Sequence, residues 1–392
     1  MFQAVLPDMQ SQPESYALRE HQEECVKAVL YAYLYQGRNQ GIVEAPCSAG
    51  KTLCAIAIFS ELIKRDSSTT ALFILPSILL AHQTLREAKR FFPHHQIGLV
   101  QAENKQYNHK IVIATIDTLA NPLTRKRLFA AQRFKRFSFL WIDECHLRLG
   151  ENLEDILFDL EDDGALRLGT SATVWRSDNQ SLAIPFPHGL FHSIDRKPLI
   201  EEGHVLDFDV HEIRTNMTNR YEKAVWGWRE YVKEKQMIFF ANSKSDAIGF
   251  QRFLRKQNIK SALILSDTPG WKRERATAAF RTGEVPILVS LRVLITGIDL
   301  PEACAGMIGC NSWMRGEDTI NHHQATGRIA RTYGEKEKGI LLYLTTEQCH
   351  GIPAIQSSLG ELPGKMVRKL PKKAKRKKKE RKRAPTDQLR LL

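Results

Sequence analysis

The stretch from Gly41 to Thr52, GIVEAPCSAGKT, constrains this chain more than any other part of it. Its opening residues predict a short buried strand, and the small residues that follow predict a tight loop. Apolar residues then recur at helical spacing in Leu53, Ile56, Phe59 and Ile63. A strand, a small-residue loop and a helix N-terminus form an anion-binding cradle, because backbone N–H groups and the helix dipole converge there.

The residue types in this loop suit a nucleoside triphosphate. Lys51 can neutralise phosphate charge and the Thr52 hydroxyl can bind Mg²⁺, so we expect ATP and Mg²⁺ as cofactors. Ala45 stands where the usual pattern has its first glycine, and Ser48 stands where a third glycine is common. Because an isolated Gly-Lys-Thr can also begin a helix by chance, residues elsewhere in the chain must decide whether this loop is a nucleotide site. The candidate nucleotide-binding residues here are Ala45, Pro46, Cys47, Ser48, Ala49, Gly50, Lys51 and Thr52.

Length and composition limit the class of protein. At 392 residues the chain can form two domains of roughly 100–200 residues each, and 43% of it is hydrophobic. No apolar run approaches the roughly 18 residues of a membrane span, and the N-terminus lacks the pattern of a signal peptide. Seven cysteines without a C-x-x-C pair suggest reduced thiols. We expect a soluble protein without a membrane partner, located in the cytoplasm, or in the nucleus if the source is eukaryotic or viral. The sequence does not determine the oligomeric state, and a monomer is one of the states it allows.

Apolar strands alternate with helical stretches through the first half of the chain. This alternation predicts a mostly parallel sheet that is covered on both faces and binds ligands at the carboxyl ends of its strands. The predicted strands after the loop are 71–75, 111–114, 139–142 and 166–169. Upstream of the loop, Arg19 and Gln22 precede a predicted helix and are candidates to clamp adenine.

Two adjacent carboxylates, Asp143 and Glu144, follow the predicted strand 139–142. Like charges in one low-dielectric site raise each other's pKa, and a divalent cation removes that cost. We therefore assign Asp143 to Mg²⁺ and Glu144 to orienting and deprotonating an attacking water. The alternative is a solvated turn after a strand.

A second α/β alternation begins after a Pro-, Gly- and His-containing stretch at 184–204, where we expect the domain junction. Its predicted strands are 237–241, 262–265, 287–289, 307–309 and 340–344, with helices at 246–256 and 271–281. The predicted division is one domain over 1–195, a second over 205–350 and a basic tail over 365–392.

The second unit has no phosphate loop of its own but carries a cationic motif. On a helix, Gln324, Arg328 and Arg331 would share one face because they lie four and three residues apart. Two arginines on a helix are commonly just solvated, yet here they could reach a γ-phosphate held by the first unit. Arginine fingers supplied in this way would make hydrolysis depend on closure of a cleft.

The segment 365–392 holds 14 Lys or Arg and 2 acidic residues, so it carries nearly all of the net charge of +13. Such a run repels itself and lacks apolar anchors, which predicts a disordered basic C-terminal tail. A nucleic-acid backbone is its natural partner through counterion release. Nuclear targeting and simple solubilisation are the alternatives.

In this order, the motifs resemble those of the superfamily 2 DEAD/DEAH-like helicases, in the branch of type III restriction-enzyme motor subunits, excision-repair helicases and phage branch-migration helicases. The resemblance runs from Leu18 to Leu344. It rests on Arg19 and Gln22, Gly50-Lys51-Thr52, Leu75-Pro76-Ser77 with Gln83, ATIDTL at 114–119, Asp143-Glu144-Cys145-His146, Ser171-Ala172-Thr173, FFANS at 239–243, Thr296-Gly297-Ile298-Asp299 and Gln324 to Arg331.

The resemblance implies a P-loop NTPase helicase core of two tandem RecA-like doubly wound parallel-sheet domains. It implies ATP contacts by Gly297 and Asp299, with Asp299 on the ribose or coupling the domains. It assigns Ser171, Ala172 and Thr173 to coupling nucleotide state to strand grip. The residues that would contact nucleic-acid phosphates are Pro76, Ser77, Thr115, Thr118 and Thr296. The chain departs from the family at Ala325, where an arginine is frequent, and His146 favours relatives other than the DEAD-box RNA helicases.

The function expected from these observations is ATP-dependent movement along DNA or its unwinding, in repair, recombination or replication. RNA is the alternative partner. A nucleic-acid-binding module with a vestigial motor core is a different alternative, and the presence of Lys51, Asp143, Glu144, Arg328 and Arg331 argues against it. A motor subunit that needs a separate nuclease or specificity partner also stays open.

Overall fold

The computed structural model describes most of both predicted α/β units. The described residues are 17–101, 104–133, 135–146, 151–172, 182, 185–216, 218–291, 300–309, 327, 329, 331, 333–334 and 336–346, the side chains of 151 and 152 excepted. The predictions for Thr173, Thr296, Gly297, Asp299, Gln324, Arg328 and the tail at 365–392 lie outside these residues.

The first unit is built on a sheet whose eight described strands follow the order β4-β3-β5-β2-β6-β7-β1-β8. All neighbours are parallel except the short pair β3 and β4, which confirms the predicted mostly parallel sheet. The strands are β1 (Gln40–Glu44), β2 (Ala71–Leu75), β3 (Ile97–Gln101), β4 (Asn104–Lys105), β5 (Ile111–Thr115), β6 (Phe137–Asp143), β7 (Glu161–Ser171) and β8 (Leu190–Ser193).

The second unit is built on a sheet in which the six described strands are all parallel and follow the order β11-β12-β10-β13-β14-β9. The strands are β9 (Asp207–Arg214), β10 (Met237–Phe240), β11 (Ser261–Ile264), β12 (Ile287–Ser290), β13 (Ala305–Gly309) and β14 (Lys338–Thr345). The predicted strands of this unit correspond to β10 to β14.

Helices cover both sheets. They are α1 (Glu20–Gln36), α2 (Lys51–Arg65), α3 (Ile78–Phe91), α4 (Ile116–Leu119), α5 (Pro122–Ala131), α6 (Glu151–Leu160), α7 (Arg196–Glu201), α8 (Arg220–Tyr231), α9 (Lys244–Lys256) and α10 (Gly270–Arg281), with a 3₁₀ turn at His94–Gln96. Among these described helices, none combines the length and the apolar character that crossing a bilayer requires.

Alternation along the central strands produces a separate core on each face of the first sheet. Phe73 and Trp141 pack with Phe59 of α2 on one face, whereas Leu72 and Leu140 belong to the cluster on the other. Burial on both faces explains why these strands are almost wholly apolar. Because the strands are parallel, the polar residues that follow β1, β2, β5, β6 and β7 all lie along the edge of the sheet that is formed by the carboxyl ends of the strands.

The stretch 184–204, expected to be a junction, is more ordered than its composition indicates. Leu190–Ser193 forms β8, which pairs with β1 at the edge of the first sheet, and Arg196–Glu201 forms α7. Strand β8 was missed because its four residues are exposed or half-buried and show no apolar alternation. The domain boundaries themselves remain a prediction.

Candidate functional site

The loop between β1 and α2 is held in an unusual backbone conformation. Ser48 and Gly50 both lie in the left-handed region, with φ of 74° and 85°. The value at Ser48 explains why glycine suits this position, since a side chain there is strained. The first helical bond of α2 is donated by the Cys54 N–H to the Gly50 carbonyl, so the preceding N–H groups have no helical partner. The loop therefore presents N–H donors at a helix N-terminus, as an anion site requires.

Lys51 at the start of α2 reaches across to the end of β6. Its Nζ lies 3.2 Å from Glu144 Oε1 and donates to the Ala45 carbonyl at 3.5 Å. Burial, the largest single effect, would lower the pKa of Lys51, but Glu144 together with Cys47 and Asp143 outweighs it and raises the pKa above its usual range. Lys51 is therefore a permanent cation, held by the carboxylate that the sequence assigned to water activation.

Asp143 is the last residue of β6 and is buried. Its Oδ1 accepts hydrogen bonds from the Thr170 hydroxyl at 2.8 Å and from the Glu144 N–H at 3.0 Å. Trp141 Nε1 in turn donates to the Thr170 hydroxyl oxygen at 2.9 Å, which fixes the direction of that hydroxyl. Burial, followed by the charge of Glu144, raises the pKa of Asp143 to about 6.

This donor set fits a hard divalent cation next to a triphosphate. The two hydrogen bonds found at Asp143 within the described chain both use Oδ1, which leaves Oδ2 as an oxygen ligand. The raised pKa shows that two neighbouring carboxylates are held here at a cost that a cation would remove. Thr52, the second residue of α2, is half-buried beside the loop. Asp143 and Thr52 would hold Mg²⁺, and the loop N–H groups with Lys51 would hold phosphates.

A polar chain leads from Glu144 to the end of β7. His146 Nδ1 lies 3.5 Å from Glu144 Oε2 and 2.7 Å from the hydroxyl oxygen of Ser171, and both His146 and Ser171 are buried. Burial lowers the pKa of His146, so the ring is neutral at pH 7. The structure therefore joins the carboxylate to Ser171, next to Ala172, through one imidazole.

The start of α1 braces the phosphate loop. Gln22 Nε2 and His21 Nε2 both lie within hydrogen-bond distance of the Ala49 carbonyl, at 3.1 and 3.2 Å. The Gln22 side-chain oxygen accepts from the Arg19 N–H at 3.1 Å, and a Cβ at Gly50 would collide with Gln22 Nε2. Gln22 thus lies beside the loop and determines its shape, while the assignment of Arg19 and Gln22 to adenine remains a prediction.

The second unit touches the loop through Gly327. Ser48 donates its hydroxyl to the Gly327 carbonyl at 3.3 Å, and a Cβ at 327 would collide with the Cβ of Cys47. Gly327 and Ile329 are helical, but Arg331 lies in a bend, so the expectation of a helix through 331 is wrong. Lys336 Nζ donates to the carbonyl of Ile329, the last helical residue described, and to that of Arg331 at 3.2 Å.

Comparison with known proteins follows this geometry. Residues 15–176 match the family described as "Type III restriction enzyme, res subunit", and residues 221–333 match "Helicase conserved C-terminal domain". The DNA repair factor IIH helicase/translocase subunit XPB of Schizosaccharomyces pombe is 24% identical over 334 residues, which are 77% of this chain and 40% of that protein. The chain belongs to the superfamily 2 helicases. Within them it belongs to the type III restriction and XPB branch.

Other relatives broaden this assignment. The ATP-dependent RNA helicase DDX42 of Homo sapiens is 24% identical over 297 residues, 70% of this chain and 29% of that protein. The structure of Saccharomyces cerevisiae Dbp5 bound to RNA and ADP BeF₃ superimposes with a TM-score of 0.66 at 18% identity and covers 87% of each chain. That likeness confirms the predicted tandem RecA-like fold. Superfamily 2 helicases are ATP-hydrolysing enzymes. This chain spans less than half the length of the XPB and DDX42 proteins it matches.

Four of the residues assigned to nucleic acid in this helicase are described, and they lie at the same sheet edge as the phosphate loop. Pro76 and Ser77 follow β2, and the Ser77 hydroxyl oxygen caps α3 by accepting from the Leu80 N–H at 3.3 Å. Thr115 ends β5, and its hydroxyl lies 2.8 Å from that of Thr118 on the following turn. Their hydroxyls are thus engaged within the protein, and their role towards nucleic acid remains a prediction.

Sequence reasoning missed two residues that shape this helicase site, Thr170 and Lys336. Thr170 pairs with Asp143 in the β6–β7 register, which no local motif reveals. Lys336 Nζ also donates to the Ala303 carbonyl at 2.7 Å, and burial lowers its pKa to about 8. A lysine shortly after a helix is the only sequence signal for such a cap.

Proposed function

We propose that this helicase couples ATP hydrolysis to movement along DNA or to its unwinding. The observation that carries the proposal is the convergence of Lys51, Glu144 and Asp143 at one sheet edge, with Gly327 of the second unit against the same loop. One unit would hold the triphosphate, and the other would complete the site. Nucleotide turnover would thereby change the contacts between the two units.

Lys51 and Glu144 would exchange partners during the reaction. Lys51 is paired with Glu144 at 3.2 Å in the structure. A phosphate entering the loop would compete for Lys51 and release Glu144, which would then accept a proton from the attacking water. Asp143 and Thr52 would hold Mg²⁺, which when bound neutralises phosphate oxygens.

Hydrolysis would be coupled to nucleic acid through His146. Its Nδ1 lies 3.5 Å from Glu144 Oε2 and 2.7 Å from the Ser171 hydroxyl oxygen, so the two groups share one ring nitrogen and a movement of Glu144 would change the hydrogen bonding at the end of β7. Arg328 and Arg331 would supply positive charge from the second unit, with Gln324 beside them. Gly297 and Asp299 would add nucleotide contacts.

Two observations favour DNA over RNA. The first half of the chain matches the type III restriction family, and XPB is named as a DNA repair factor. DDX42 and Dbp5 are named with RNA, which makes an RNA helicase the second candidate. The basic segment 365–392 would bind either polyanion without reading sequence. We propose DNA as the partner of this chain.

The test is ATP turnover by the full chain alone, with single-stranded DNA, with duplex DNA and with RNA, followed by strand displacement on forked substrates. We expect DNA to stimulate turnover more than RNA. Lys51→Ala and Glu144→Gln should lower turnover at least about 100-fold, since each removes a group that acts on the reacting phosphate or water. The matched controls are Lys64→Ala and Glu61→Gln, which alter a partly exposed ion pair on α2.

Two outcomes would contradict the proposal. Unchanged turnover in Lys51→Ala and Glu144→Gln would reject the site. Stimulation by RNA but not by DNA would replace the DNA assignment with the RNA candidate.

A further inference from the structure

A group of metal-ligating side chains that does not include Asp143 contacts the phosphate loop through His21. One imidazole nitrogen each of His21 and His204 and one carboxylate oxygen of Glu202 all lie within 4.8 Å of one another. His204 Nε2 is 3.4 Å from Glu202 Oε2, and the two imidazole rings are 5.4 Å apart between centroids. Among the described residues, this is the one grouping of His, Cys, Asp and Glu with such geometry.

The hydrogen bonding of His21 prepares it as a ligand. A carbonyl can only accept, so the contact with the Ala49 carbonyl at 3.2 Å requires the proton on Nε2. Nδ1 then carries a lone pair, and this buried atom has no hydrogen-bond partner among the described residues. Metal-bound histidines typically donate their other N–H to a carbonyl or carboxylate, which fixes the tautomer. His21 has that second contact already.

The cluster is also electrostatically suited to a cation. A buried acceptor without a partner is unfavourable, and a cation bound at Nδ1 would remove that cost. Glu202 supplies a negative charge from a side chain that is 44% exposed.

The donor set selects the kind of metal. Two imidazoles and one carboxylate suit Zn²⁺ and neighbouring transition metals, whereas Mg²⁺ and Ca²⁺ prefer all-oxygen sites. Tetrahedral Zn²⁺ at about 2.0 Å from each ligand brings ligand atoms to about 3.3 Å of one another. Glu202 and His204 must therefore move inwards, and both are exposed enough to do so, at 44% and 28%.

We propose that His21, Glu202 and His204 bind one transition-metal ion, with Zn²⁺ as the expected ion and a water molecule as its fourth ligand. Glu202 and His204 directly follow α7, while His21 lies on α1 and holds the Ala49 carbonyl of the phosphate loop. The ion would tie α1 and the loop to the segment after α7. This site is separate from the Mg²⁺ site at Asp143 and does not depend on the proposed function.

The experiment uses the full chain, free of affinity tag and of metal, with excess Mg²⁺ to occupy Asp143 and Glu144. Co²⁺ is titrated while its visible d–d absorption is followed, and Zn²⁺ is then added in competition. Affinity and stoichiometry for Zn²⁺ are measured by calorimetry. We expect one equivalent with an intense tetrahedral Co²⁺ spectrum that Zn²⁺ abolishes.

Two substitutions and two matched controls locate the site. Glu202→Gln and His204→Gln should each weaken Zn²⁺ binding at least tenfold and remove the tetrahedral spectrum. Glu201→Gln, next in sequence and exposed, and His95→Gln, an exposed histidine, should stay within twofold of the unmodified chain. Wild-type affinity and spectrum in both site variants, or the lack of a saturable equivalent in the unmodified chain, would overturn the proposal.

Discussion

Asp143→Asn should stabilise the nucleotide-free protein while it removes ATP turnover. The carboxylate is buried beside Glu144, and both effects raise its pKa from 3.8 to about 6. Asparagine has nearly the same shape and keeps an oxygen to accept from Thr170 and from the Glu144 N–H. It removes only the charge that the buried site disfavours.

The size of the effect follows from proton linkage. Well below the unfolded pKa of 3.8, Asp143 is protonated in both folded and unfolded chains and costs nothing. Between 3.8 and the folded pKa of about 6, the unfolded chain loses the proton while the folded chain keeps it, so stability falls as pH rises through this interval and is constant above it. At pH 7.5 the penalty is about 3 kcal/mol, and at pH 5 it is about half of that.

The assay is thermal and urea unfolding of Asp143→Asn and the unmodified chain at pH 7.5 and pH 5, without nucleotide or divalent cation. About 3 kcal/mol corresponds to a rise of about 5–10 °C in the midpoint for a domain of this size. The control, Asp163→Asn, changes an exposed carboxylate and should stay within about 0.5 kcal/mol. Equal or lower stability of Asp143→Asn at pH 7.5, or a gain that does not shrink at pH 5, would refute the electrostatic reasoning.

Two further substitutions test neighbouring contacts. Gly327→Ala should lower ATP turnover about tenfold or more with little change in the free energy of unfolding, because the new Cβ would collide with Cys47. The control is Gly270→Ala, where nothing lies within 4 Å of the new Cβ, and it should leave turnover unchanged. Thr170→Val should raise the Mg²⁺ concentration for half-maximal turnover and lower the free energy of unfolding by about 1–3 kcal/mol, because Asp143 loses a hydrogen-bond donor. Thr170→Ser keeps the hydroxyl and should behave as the unmodified protein. Normal turnover in Gly327→Ala, or a normal Mg²⁺ requirement in Thr170→Val, would contradict these assignments.

The sequence predicted those parts of the fold in which local pattern and burial agree. Strands such as β2 and β5 are uniformly apolar because both faces of a parallel sheet are covered, and such runs are recognisable without a structure. The edge strand β8 is short and half-exposed, so its formation depends on pairing with β1 and on nothing visible locally. Strands β3, β4 and β9 were missed as well: β4 and β9 are edge strands, and β3 is separated from the edge only by β4.

The candidate site was predictable in its motifs and not in its connections. Lys51, Asp143 and Glu144 are recognisable because phosphate and metal chemistry restrict residue type and spacing. The contact of Asp143 with Thr170 depends on strand register, and that of Gly327 with the phosphate loop depends on how two units meet. Neither relation is encoded at short range in the chain.

The charges that meet at the loop explain why nucleotide and divalent cation should bind together. Lys51 contributes one positive charge, and Asp143 and Glu144 contribute two negative charges once both are ionised, so the buried site is net negative. A triphosphate alone would meet carboxylates whose repulsion is poorly screened at such depth. A divalent cation reverses the sign of the site and lowers the pKa of Asp143. ATP should therefore bind much more weakly to the unmodified chain without Mg²⁺, and Asp143→Asn should reduce that difference by removing one of the negative charges.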